Sequence, residues 1–114
     1  MSAFHLTSLD NVQVISINRL FTEETISEIF EEVQAKLDTG QKKWVVDLSD
    51  LEYMSSIGIN LLLGLMSRSK KRGGAMAIAN PSSQVLKLLD MTRLTHIFPL
   101  CPTVKAASQV LLQK

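Results

Sequence analysis

The chain has 114 residues, 46% hydrophobic and 20% charged, with a formal net charge of +1. That length suits one hydrophobic core, so a single domain over residues 1–114 is expected, and no run approaches the ~18 apolar residues of a membrane span. Near-neutrality gives no electrostatic case for nucleic acid as a partner, and one cysteine, Cys101, cannot form an intramolecular disulfide. With no export signal in the short, mixed stretch Met1 to Leu9, a soluble cytoplasmic protein without direct membrane insertion is the expectation.

In chain order, Phe4 to Leu9 and Val12 to Ile17 flank Asp10-Asn11, and the second run mixes apolar positions with Gln13 and Ser16, which predicts an N-terminal hairpin. From Thr22 the spacing becomes helical. Ile26, Ile29, Phe30, Val33 and Leu37 form one stripe and the glutamates lie mainly off it, with Thr22 as N-cap and Thr39-Gly40 as terminator. The apolar run Trp44 to Leu48 reads as a strand covered on both faces. A long helix then carries Ile59, Leu62, Leu63 and Met66, with Ser55 or Ser56 as its N-cap.

Gly73-Gly74 breaks the chain before a small-residue strand, Ala75 to Ala79, and Asn80-Pro81-Ser82 turns it into a helix over about Ser83 to Asp90. The segment Ile97-Phe98-Pro99-Leu100 can only be an edge strand, because its proline lacks a donor. A last helix runs from about Thr103 to Leu112. Hairpin first and then strands alternating with helices, this is an α/β domain with a mixed, mainly parallel sheet and helices packed against it.

Most chemical constellations fail on inspection. His5 and His96 have no metal-like neighbours, and Cys101 lies in an apolar segment that looks packed rather than reactive. Gly73-Gly74 follows a helix and precedes a strand, the reverse of a phosphate-binding loop. Asp47, Asp50 and Glu52 read as a solvated turn, and Arg68, Lys70, Lys71 and Arg72 read as a complement to the negative end of the long helix, ahead of the alternative of phosphate binding. No catalytic residue, metal or cofactor is expected.

The paired hydroxyls Ser55-Ser56 stand apart. A phosphate on either would sit at a helix N-terminus, where free amides and the macrodipole favour negative charge and its bulk would change the surface. Ordinary capping is the plain alternative.

The run Val45-Val46-Asp47-Leu48-Ser49-Asp50-Leu51-Glu52-Tyr53-Met54-Ser55-Ser56-Ile57-Gly58-Ile59, with Lys71-Arg72-Gly73-Gly74 and Leu86 to Leu94 before Ile97-Phe98-Pro99, resembles the STAS domain of bacterial anti-sigma factor antagonists. The resemblance implies partner switching. Aligned on Gly58, the serine phosphorylated in that family falls on Ser56, with Ser55 as the alternative acceptor. It implies as partners a serine kinase that is also an anti-sigma factor, with a histidine-kinase-like ATPase fold, and a PP2C-type phosphatase. Two positions depart from the family pattern: Ser55 stands for an aspartate, and Phe21 for an acidic residue in Asn18-Arg19-Leu20-Phe21.

The expected docking surface comprises Ser55, Ser56, Ile57, Gly58 and Asn60 with the adjoining Leu20, Phe21, Thr22 and Glu23. For Phe21, core packing or a staple ahead of Thr22 is the equal alternative. Two other functions compete: a non-phosphorylated scaffold or ligand-sensing subunit of a signalling or lipid-transport complex, and a small enzyme using Ser55 or Ser56, disfavoured by the lack of a base.

Overall fold

The computed structural model describes residues 3–18, 22–52 and 54–113. Their order is β1 (Phe4–Leu9), β2 (Val12–Ile17), α1 (Glu23–Asp38), β3 (Lys43–Asp47), α2 (Ser56–Lys71), β4 (Ala75–Ala79), α3 (Ser83–Met91), β5 (Leu100–Cys101) and α4 (Val104–Leu112). The strands form one sheet in the order β1-β2-β3-β4-β5, with β1 antiparallel to β2 and the remaining pairs parallel.

The hairpin turns at Asp10 and Asn11, both at positive φ (50° and 69°), the left-handed pair that a two-residue turn needs to match strand twist. β2 is covered more fully than alternation suggests: even Gln13 is buried, its side-chain amide donating to Gln41 Oε1 at 3.2 Å.

Three crossovers between adjacent parallel strands, all advancing the same way, place α1, α2 and α3 on one face. There Ile29, Val33, Leu62, Leu65, Val85 and Leu89 pack on Ile15, Trp44, Val46, Met76 and Ile78. Among the described residues α4 alone covers the other face, its Ala107 and Leu111 against Val14, Val45, Ala77 and Ala79. Small residues on both sides let that helix lie close to the sheet.

The sheet's last strand is shorter than the predicted Ile97–Leu100 segment and begins later. Ile97 and Phe98 lie in a turn whose amides donate to the Leu94 carbonyl, and the Phe98 ring is buried in the core instead of joining a ladder. Pro99 has no amide to donate but its carbonyl accepts from Ile78 N at 2.8 Å, so pairing starts there and runs only through Cys101.

Candidate functional site

Because β2, β3 and β4 are parallel, the helices that follow β2 and β3 both begin at the carboxyl end of the sheet, which brings the starts of α1 and α2 to one pole. The turn leading into α2 is fixed from below by Asp47, at the end of β3. Its Oδ1 accepts from Ser49 N at 3.1 Å and from Asn80 Nδ2 at 2.9 Å, and its Oδ2 accepts from Ser16 Oγ at 3.4 Å. Asp47, expected with Asp50 and Glu52 to belong to a solvated turn, is therefore a half-buried hub joining the ends of β2, β3 and β4. Asp50 and Glu52 are exposed.

Two further anchors hold the loop. Leu51 and Met54 are buried in the core, and Ser82 Oγ donates to the Glu52 carbonyl while also capping α3 by accepting from Val85 N. These contacts of the described residues lead up to the exposed pair at the start of α2.

Ser55 occupies the N-cap position of α2 with extended backbone (φ −94°, ψ −177°), and its carbonyl accepts the first helical bond from Ile59 N at 3.2 Å. The predicted capping hydrogen bond is absent: the Ser55 side chain makes none, and Ser56 is the first helical residue. Both hydroxyls are exposed, and no acidic residue occupies the first turn. The first-turn amides and the positive end of the macrodipole are left uncompensated, an environment that favours an added anion.

Around them, Ile57 is 42% exposed, Asn60 is exposed, and Gly58 is buried on the inner side of the helix. Thr22 and Glu23 at the start of α1 are exposed, Thr22 Oγ1 accepting from Thr25 N at 3.1 Å. Leu20 and Phe21 lie outside the described residues.

Elsewhere, His5 and His96 are exposed, and burial pushes the Cys101 thiol up, which disfavours the thiolate. Among the described residues no three His, Cys, Asp or Glu side chains gather to hold a metal, and no helix is long and apolar enough to cross a membrane. The clamp made by Asp47, Asn80 and Ser82 was not anticipated. Its one local signal is the Asp47-Leu48-Ser49 spacing of an Asx turn.

The family model of the STAS domain matches residues 3–107. BtrV of Bordetella bronchiseptica is 20% identical over 103 residues, covering 90% of this chain and 89% of that one. The anti-sigma-B factor antagonist of Bacillus subtilis is 36% identical over 50 residues, 44% of this chain and 46% of its own. Among solved structures, the unphosphorylated form of SpoIIAA, an anti-sigma factor antagonist, superimposes with a TM-score of 0.81 at 21% identity, covering 98% of each chain. SpoIIAA of Bacillus in its phosphorylated form gives 0.74, at 21% identity over 94% of this chain and 97% of the other. On the match over residues 3–107, the chain belongs to the STAS domain family.

Proposed function

We propose that this chain is an anti-sigma factor antagonist, a regulatory binding module rather than an enzyme, that captures a cognate serine kinase acting as anti-sigma factor and is released from it by phosphorylation at Ser56. The observation that carries this is the first turn of α2: two exposed hydroxyls after an anchored loop, neither of them used for capping, above uncompensated amides. The relatives named as anti-sigma factor antagonists, and the existence of SpoIIAA in phosphorylated and unphosphorylated forms, support the same reading.

The unmodified pole docks on the kinase, which has a histidine-kinase-like ATPase fold, with Ile57 as an apolar anchor and Ser55, Ser56, Gly58, Asn60, Thr22 and Glu23 around it. Leu20 and Phe21 extend the contact. Phosphate at Ser56 adds about −1.5 to −2 charge where the partner must pack, so binding is lost through desolvation and bulk without refolding. A PP2C-type phosphatase in the same cytoplasm restores the binding form.

Phosphosite mapping by mass spectrometry, on the chain purified from its native cell with and without phosphatase treatment, tests this directly. Phosphate on Ser56 is the expected result; phosphate on Ser55 alone would move the acceptor by one residue. A turn unmodified across growth conditions would overturn the switch. In binding assays with the kinase, Ser56→Asp should lose affinity and Ser56→Ala should bind constitutively.

A further inference from the structure

The basic cluster at the far end of α2 is more than a complement to the helix dipole. We propose that the groove between the C-terminal halves of α1 and α2 is a binding site for a phosphoryl group.

The groove has a volume of about 410 Å³ and is lined by Gln34, Gly64, Ser67, Arg68, Lys71 and Arg72. The four α2 residues and its C-cap, Arg72, follow the i, i+3, i+4, i+7, i+8 rhythm of one helical face, turned toward α1. At its floor the helices touch: a Cβ on Gly64 would lie 2.7 Å from the Phe30 ring. The Arg68 guanidinium stacks on that ring, 4.5 Å from its centroid, and its Nη1 donates to Gln34 Oε1 at 3.0 Å. Arg72 Nη2 donates to Asp38 Oδ1, which also accepts from Gln34 Nε2 at 3.0 Å.

Both arginines are thereby held in place, and each commits one of its five N–H donors to the partner just named. The remaining fork suits tetrahedral oxyanions. Exposed Lys71 and the Ser67 hydroxyl add a mobile charge and a donor. Arg68, Lys71 and Arg72 line the groove, Asp38 is paired with Arg72, and exposed Lys36, Lys42 and Lys70 lie at the same pole. A dipole complement requires neither a groove nor side chains contributed by α1.

The lining is polar, so the recognised chemistry is a small dianion, carried on a soluble phosphorylated molecule or on a phospholipid headgroup. Ser56 and Lys71 stand at opposite ends of α2, about 22 Å apart at the usual rise per residue. This site is therefore spatially separate from the proposed switch.

The test is an NMR titration of the whole chain with inorganic pyrophosphate at low ionic strength, against sodium chloride of matched ionic strength. Saturable shifts should concentrate on the Gln34 side-chain amide, the Arg68 and Arg72 Nε–H groups and the Lys71 amide. Lys71→Gln, at an exposed position, should weaken binding by about tenfold, the effect of one charge-assisted hydrogen bond. Asp38→Asn should tighten it, because a competing negative charge is removed.

Sedimentation with phosphatidylcholine vesicles containing phosphatidic acid separates the sources. Capture that Lys71→Gln abolishes assigns the phosphoryl group to lipid; saturable pyrophosphate binding without capture assigns it to a soluble ligand. Shifts that chloride reproduces, or an affinity for both probes indifferent to Lys71→Gln and Asp38→Asn, would overturn the site.

Discussion

The two ends of α2 are built in opposite ways. At its C-terminus the chain is locked: the Arg72 amide donates to the Ser69 carbonyl, Gly73 takes positive φ (76°) and donates to Lys70, and Gly74 returns to Ser69. At its N-terminus the cap residue makes no side-chain bond. The other three helices show that this is not the habit of the fold: Thr22, Ser82 and Thr103 each accept from the amide three residues on, at 3.0 to 3.1 Å. Capping hydroxyls are used wherever a helix start only has to be stable, and not at the start that carries the serine pair.

Breaking the locked end should have the largest effect on stability. A Cβ on Gly74 would lie 1.9 Å from the Lys42 carbonyl oxygen, which already accepts from Ala75 N at 3.0 Å. Backbone has to move, and with it the start of the β3–β4 register. Gly74→Ala should cost about 2 to 3 kcal/mol in urea unfolding, in the range of overpacked cores. A loss below that of the cap substitutions would show that the strand start yields freely.

Next come the true caps. Thr103→Ala should cost about 1 kcal/mol, the ordinary value of a lost N-cap. Ser82→Ala should cost about 2 kcal/mol, because it removes the tether to Glu52 along with the cap. It should also speed amide exchange at Leu51 and Glu52. Equal costs at the two positions would reduce Ser82 to a cap and leave the anchoring of the loop before α2 to Asp47.

That contrast also marks what the sequence could carry. The element order was legible throughout because each boundary has a local signal: Asp10-Asn11 for a left-handed turn, Thr22 ahead of the α1 stripe, Gly73-Gly74 between helix and strand. Ile97-Phe98 misled because an apolar pair next to proline looks alike whether it joins a ladder or fills a core. The serine pair was visible as a candidate, but its uncapped state was not. Whether a hydroxyl reaches an amide depends on how the loop is held, and the bonds that hold it come from Asn80 and Ser82, 33 and 30 residues from their partners. Nor does residue spacing show that Arg68, in a basic run suited to a helix end, turns back onto Phe30 of another helix.

The smallest expected effect isolates the open end itself. Ser55→Ala removes a hydroxyl that makes no capping bond, so its cost should stay within about 0.5 kcal/mol, that of an uninvolved surface site. Ser56→Asp should go the other way, gaining about 0.3 to 1 kcal/mol, because it places the first negative charge in a first turn that has no acidic residue. The gain should shrink in high salt, since the interaction lies at the surface. Measured together by urea unfolding, the pair makes one argument: a phosphate mimic that stabilises the free domain while abolishing capture of the proposed kinase acts on the interface and not on the fold. A Ser55→Ala cost equal to that of Thr103→Ala would mean that Ser55 caps α2 in solution as the other hydroxyls cap their helices, and the contrast between the two ends would reduce to the lock at Gly74.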